Sequence, residues 1–272
     1  MTVSPAGPEA VIARLRAVGC VFAEDEARLL IDAAGTPAEL DTMVRRRVEG
    51  LPLEHILGWA EFAGRRVAVD PRVFVPRRRT EFLARQAIRH GRPGAVVLDL
   101  CCGSGAVGTA VATALGDVEL YAADLDPAAV ECARRNLVPL GGQVFHGDLY
   151  TPLPGTLRGR VDVLTANAPY VPTDAIDLMP PEARVHEPHL ALDGGADGLD
   201  ILRRVIEGAA TWLTGTGTVL VESSERQAPE LVKALTRNGF RPQVSTSDDL
   251  GATVVLGTRH PVEVPDSAGE GR

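Results

Sequence analysis

A chain of 272 residues, 45% hydrophobic and 24% charged, carries enough apolar material for a sizeable core and has room for two domains. Its formal charge of −8 argues against a broad basic face that would displace counterions from nucleic acid. No basic segment followed by an apolar run opens the chain, and no uncharged stretch is long enough to span a bilayer, so the expected address is the cytoplasm, with no membrane partner.

Residues 1–8 are small and rich in Pro and Gly, which predicts a loose terminus. From Glu9 to about Gly50 apolar residues recur at helical spacing, with Val11, Ile12, Leu15 and Val18 in one stripe and Ala27, Leu29, Leu30 and Ala33 in another. Thr36-Pro37 reads as a helix start, with proline at the first helical position. Over Leu57–Val69 the pattern alternates and is broken by turn residues, which predicts a β-hairpin.

From about Ala95 the pattern becomes strand–helix–strand. Strands are expected at Val96–Leu100, Val118–Ala123, Val144–His146, Val161–Ala166 and Thr218–Glu222, with two more near 241–247 and 253–258. Helices are expected at Ala106–Leu115, at Pro127–Asn136 with Asp126 as N-cap, and over 199–213. This alternation implies a mostly parallel sheet covered on both faces. The tail from about Val262 is polar and is expected to fray.

Two basic triplets, Arg45-Arg46-Arg47 and Arg77-Arg78-Arg79, read first as solvated helix or loop faces. The four cysteines, Cys20, Cys101, Cys102 and Cys132, form no C-x-x-C pair, so neither a zinc nor a redox motif is indicated. His186-Glu187-Pro188-His189 lacks the spacing of a metal-binding helix, and no metal is expected.

Gly103-Ser104-Gly105-Ala106-Val107-Gly108 follows a strand and opens a helix, and Asp124 ends the next strand. Alone, this is a dinucleotide-binding pattern, and a nicotinamide-dependent dehydrogenase stays open. Three features favour S-adenosyl-L-methionine instead. Asp99 ends the strand before the glycines, where a carboxylate suits the ammonium of a methionine moiety and would repel a pyrophosphate. Asp148 and Leu149 end the third strand, where an acidic and an apolar residue could hold an adenine. A proline-containing loop follows the fourth strand, at the switch point where such sheets bind ligands.

That loop is Asn167-Ala168-Pro169-Tyr170. Its residue types suit methyl transfer to a planar nitrogen whose lone pair is delocalised. The Asn167 carbonyl can accept one N–H of the acceptor and the Ala168 backbone carbonyl the other, holding the nitrogen in line with the methyl group. Pro169 drives Ala168 to an extended conformation that aims its carbonyl, and Tyr170 can pack over the planar group.

In chain order these features resemble the HemK/PrmC family, which methylates the glutamine side-chain amide of peptide chain release factors. The resemblance runs from about residue 45 to 260. It includes Arg45-Arg46-Arg47 to Gly58 with Pro52, His55 and Ile56, then Phe74-Val75-Pro76-Arg77 with Thr80-Glu81. Cys101, Cys102, Gly103, Ser104, Gly105, Asp124 and Leu149 match its cofactor positions, and Asn167 to Tyr170 its substrate loop. Glu187-Pro188, Ala191-Leu192 and Gly195 to Leu199 match a later stretch.

The resemblance implies an α/β, Rossmann-like, seven-stranded class I methyltransferase domain at 80–261. It also implies a helical substrate-binding domain at 1–50, a β-hairpin linker at 51–79 and a tail at 262–272. The implied partner is a release factor or another protein with a glutamine-bearing loop, rather than nucleic acid.

Departures from the family pattern leave the protein acceptor open. Ala168 replaces the first proline of N-P-P-Y, Cys101 a glycine, Arg78-Arg79 a Pro-Asp pair, and Ser223-Ser224 stands where a glycine is usual. A late arginine is absent around Asp249 to Val254. Methylation of an exocyclic amine in DNA or RNA is the second reading, because similar loops serve those enzymes. A non-catalytic binding protein is the third.

Overall fold

The computed structural model describes residues 7–259, so the expected frayed tail and most of the expected loose N-terminus lie outside the described residues. Pro8, assigned above to the terminus, begins the first helix instead. Helices α1 (Pro8–Ala17), α2 (Ala23–Ala33) and α3 (Pro37–Val48) bury Val11, Leu15, Leu30 and Val44 against one another in a core of their own. Thr36 caps α3 by accepting from the Glu39 amide, and Glu39 returns a carboxylate to the Gly35 amide.

The hairpin is shorter than its alternation implies. Leu57 closes a helix, α4 (Leu53–Leu57), which stops where Gly58 turns left-handed at φ 78°. The strands are β1 (Trp59–Phe62) and β2 (Arg65–Ala68), antiparallel around Ala63-Gly64. Helix α5 (Glu81–His90), not among the expected elements, packs Leu83 and Ala87 under the sheet.

Five parallel strands follow: β3 (Ala95–Leu100), β4 (Val118–Asp124), β5 (Gln143–His146), β6 (Val161–Ala166) and β7 (Leu213–Ser223). The antiparallel pair β8 (Phe240–Ser247) and β9 (Ala252–Arg259) completes the sheet. The order is β5-β4-β3-β6-β7-β9-β8. Helices α6 (Ala106–Leu115) and α7 (Pro127–Leu137) join α5 on one face. On the other face lie α9 (Asp200–Trp212) and α10 (Ala228–Arg237), after a short α8 (Pro181–His186).

This is the expected Rossmann-like seven-stranded arrangement, and β3 shows how its core forms. Val96, Leu98 and Leu100 point to the α9–α10 side, and Ala95 and Val97 to the α5–α7 side, so the strand is buried on both faces. Strand order reverses between β3 and β6, which opens a crevice at their carboxyl ends. No helix among the described residues is long and apolar enough to cross a membrane.

Candidate active site

The crevice is built outward from Asp99. Its carboxylate, 1% exposed, accepts from the Thr165 hydroxyl of β6 at 2.8 Å and from the Gly108 amide of α6 at 3.1 Å. One side chain thereby ties two strand ends to the helix that follows the glycine turn. Burial pushes the Asp99 carboxyl up to about 7, against the pull of those two hydrogen bonds.

After β3 the chain turns through Cys101 at φ 52°, Gly103 at φ 54° and Gly105 at φ 78°. A Cβ at Gly105 would sit 2.9 Å from Leu137 Cγ, so the turn needs glycine there for room as well as for φ. Asp124 closes the turn from β4: one oxygen accepts from the Gly103 amide at 2.8 Å and the other from the Asp126 amide at 2.9 Å. Desolvation raises its pKa as well.

Leu149 is buried with φ 47°, a second non-glycine residue in the left-handed region beside Cys101. Both line the cavity, as backbone strain does at functional sites. The Cys101 and Cys102 thiols are raised well above their usual range by burial, with Asp124 and Asp99 adding to it. They are therefore neutral and poor nucleophiles.

Asp148 pairs with Arg204 of α9 at 2.6 Å. Asp99, Asp124 and Asp148 thus face one cavity, and among the described residues only Asp148 has a basic partner. Such a floor suits a cationic ligand and disfavours a pyrophosphate.

Asn167-Ala168-Pro169-Tyr170 forms the opposite wall, leaving the end of β6. Asn167 donates from Nδ2 to Thr80 Oγ1 at 3.3 Å, which leaves Oδ1 outside that bond. No backbone amide among the described residues donates to the Ala168 carbonyl. The Tyr170 hydroxyl donates to Glu222 Oε1 at 3.1 Å, and the Arg79 guanidinium lies 5.7 Å from the centre of its ring.

The Tyr170 carbonyl accepts from Gln227 Nε2 at 2.9 Å. A side chain at Gly198 would overlap that carbonyl, so the Gly195–Leu199 stretch lets two backbones pass closely. Of the residues expected at the site, Gly105 alone does not line the cavity; it shapes the turn beneath it.

The methyltransferase small domain family model matches residues 78–195. The release factor glutamine methyltransferase of Geobacter sulfurreducens is 36% identical over 219 residues, 80% of this chain and 76% of that one. The chain belongs to the release factor glutamine methyltransferase family. A further relative, the 4-amino-L-phenylalanine/4-methylamino-L-phenylalanine methyltransferase of Streptomyces pristinaespiralis, is 34% identical over 82% of this chain and 79% of that one. Among solved structures, ribosomal protein L11 methylase of Lactobacillus delbrueckii subsp. bulgaricus superposes with a TM-score of 0.52 at 19% identity. That match covers 71% of this chain and 84% of that one, and it is a likeness of fold alone.

Membership of the release factor glutamine methyltransferase family displaces the dehydrogenase reading that the glycine pattern left open. The basic triplets are partly consumed in ion pairs rather than wholly solvated. Arg47 grips Glu26 with two hydrogen bonds, Arg77 pairs with Glu187 at 2.6 Å, and Arg79 reaches Glu222 at 3.3 Å. Glu187 also accepts from the Val75 amide, so the 186–189 segment braces the irregular stretch 73–77.

Several site residues escape the sequence reading. In the sequence Glu222 shows only as a strand end, Arg204 and Gln227 carry no local motif, and Asn136 shows only as the end of a helix. Asn136 exchanges two hydrogen bonds with the Ala68 backbone and donates to the Ser104 carbonyl at 2.8 Å, fastening the hairpin to the glycine turn.

Proposed function

We propose that this chain transfers a methyl group from S-adenosyl-L-methionine to the side-chain amide nitrogen of a glutamine in a protein, with a peptide chain release factor as the acceptor. The cofactor supplies an already activated sulfonium methyl, so the protein's work is positioning and charge.

The three carboxylates of the floor fit a sulfonium and an ammonium. Asp124 binds the ribose hydroxyls through lone pairs left over from its two amide bonds. Asp148 and Leu149 would hold the adenine, Asp99 the ammonium, and Cys101 to Gly105 the methionine moiety. Asn167 Oδ1 and the Ala168 carbonyl would accept hydrogen bonds from the two N–H groups of the acceptor. This aims the nitrogen lone pair and favours the positive charge that grows on it. As the methyl–sulfur bond gives way to the new carbon–nitrogen bond, the sulfur leaves as a neutral thioether and one N–H proton passes to solvent. Pro169 stiffens the loop, and Tyr170 covers the planar group. The helices of residues 1–50 grip the protein acceptor, with 51–79 as the linker to the methyltransferase domain at 80–261.

The observation that carries this reading is the direction of the Asn167 amide: Nδ2 is committed to Thr80, and Oδ1 is left as an acceptor.

An aromatic amine on a small molecule is the second reading. It shares the delocalised nitrogen, and the relative from Streptomyces pristinaespiralis is named for such acceptors. Both are tested at once by offering radiolabelled S-adenosyl-L-methionine with purified release factors, ribosomal proteins, 4-amino-L-phenylalanine, tRNA and DNA in parallel. Label on a glutamine, located by mass spectrometry, supports the first reading. Label confined to 4-amino-L-phenylalanine supports the second, and label confined to nucleic acid rejects both.

A further inference from the structure

One buried carboxyl at the site has no part in the chemistry above. Glu222 lies near the end of β7 and is 2% exposed. Its Oε1 accepts from the Tyr170 hydroxyl at 3.1 Å and from Arg79 Nε at 3.3 Å. Its Oε2 is buried with no hydrogen-bond partner. An apolar side chain would fill the same space without an unmet acceptor, so packing alone does not account for a carboxyl here.

Tyr170, which lines the cavity, is held at both ends. Its carbonyl accepts from Gln227 Nε2 at 2.9 Å, and its hydroxyl, at the far edge of the ring, donates to Glu222. The hydroxyl oxygen lies on the axis of χ2, so the bond to Glu222 fixes χ1 and the direction in which the ring points. Rotation about that axis is restrained by Arg79. Its guanidinium, bonded to the same Glu222 oxygen, lies 5.7 Å from the ring centre, within reach of the π face. Burial raises the Glu222 carboxyl, and a protonated carboxyl keeps acceptor capacity, so the tether does not need the ionised form.

We propose that Glu222 is a positioning residue that sets the Tyr170 ring in the acceptor wall, by gathering the Tyr170 hydroxyl and the Arg79 guanidinium on one oxygen. The inference rests on the covering role given to Tyr170 above. The cluster joins three elements that are distant in sequence: the turn before α5, the loop after β6, and the end of β7.

The test compares full-length wild-type enzyme with Tyr170→Phe, Glu222→Asp, Glu222→Gln and the Tyr170→Phe/Glu222→Asp double variant. kcat and KM are read on purified peptide chain release factor, and S-adenosyl-L-methionine affinity by calorimetry. Phenylalanine keeps the ring and drops the hydroxyl. Aspartate keeps the acid but is a methylene shorter, so its oxygens fall short of the hydroxyl. Glutamine keeps the length and an acceptor oxygen.

In Tyr170→Phe and Glu222→Asp we expect kcat/KM for the acceptor to fall about 10-fold, the scale of one lost hydrogen bond. Cofactor affinity should stay within about 3-fold, whereas a general loosening of the fold would lower it along with turnover. Glu222→Gln should stay within about 3-fold of wild-type kcat/KM, because reach rather than charge makes the tether. The double variant should be no slower than the slower single variant, since both substitutions break one bond.

A Tyr170→Phe enzyme with wild-type kcat/KM overturns the proposal. So does a Glu222→Gln enzyme no faster than Glu222→Asp, or a double variant in which the two losses multiply. Should Glu222→Asp fail to fold, Tyr170→Phe removes the same hydrogen bond from its other end and decides alone. A wild-type enzyme that methylates no protein glutamine refutes the acceptor reading instead, before any variant is read.

Discussion

Gln227 holds the backbone of Tyr170: its Nε2 donates to the Tyr170 carbonyl at 2.9 Å and to the Asp197 carbonyl at 3.1 Å. Its Oε1 accepts from both the amide and the hydroxyl of Ser224, so donor and acceptor ends are used together. The side chain thus ties the loop after β6 to the segment before α9 and the turn before α10. Gln227→Ala strands two carbonyls and should cost about 2 kcal/mol of stability. Denaturant unfolding measures that cost, and turnover should fall with it because the wall of the cavity loosens.

Gly105→Ala should be worse than a typical surface change. It places a Cβ at φ 78° and 2.9 Å from Leu137 Cγ. Strain and overlap together predict a loss of about 2 kcal/mol or more. Thermal melting reports the loss, and a variant as stable as wild type would show that the turn is not so tightly fixed.

Asp99 gives a pH dependence with a definite sign. Its carboxyl is raised to about 7 by burial, against an unfolded value near 4. The folded state therefore holds this proton more tightly than the unfolded chain does. The stabilisation is complete below about pH 4 and is lost as pH rises to about 7, through the raised folded value. Asp99→Asn cannot ionise, so it should lack that part of the fall in stability. The wild-type-minus-variant difference in melting temperature, read at about pH 5 and about pH 8, isolates it. A cation bound beside Asp99 should expel the proton, so cofactor binding near neutral pH should release protons into the buffer. Calorimetry in buffers of different ionisation enthalpy detects that release.

Much of the sheet is local in origin and shows in the pattern of residues. Ala106–Leu115 and Val161–Ala166 match the expected elements residue for residue, because each is a mainly apolar stretch bounded by turn residues. Helices α5 and α10 were also within reach: Leu83 and Ala87, and Leu231, Ala234 and Leu235, recur at helical spacing. Helix α4 was not, since its five residues are too few to show a period. The first half of β7 reads as a Gly-Thr loop and joins the sheet only by pairing with β6.

The site divides in the same way. The glycine turn, Asp124 and the 167–170 loop carry local signatures. Glu222, Gln227 and Arg204 meet Tyr170 and Asp148 across 52, 57 and 56 residues, and such pairings leave no mark in either segment alone.

The most direct measurement is methyl transfer to purified release factor by wild-type and Asn167→Ala enzyme, with cofactor binding followed by calorimetry. Wild type should place a methyl group on a glutamine side chain. Asn167→Ala should lose at least about 100-fold in turnover, the cost of one missing oriented group at the reacting centre. Its affinity for S-adenosyl-L-methionine should stay close to wild type. Equal loss of turnover and cofactor affinity, or methylation that persists without Asn167, would contradict the acceptor role assigned to the loop.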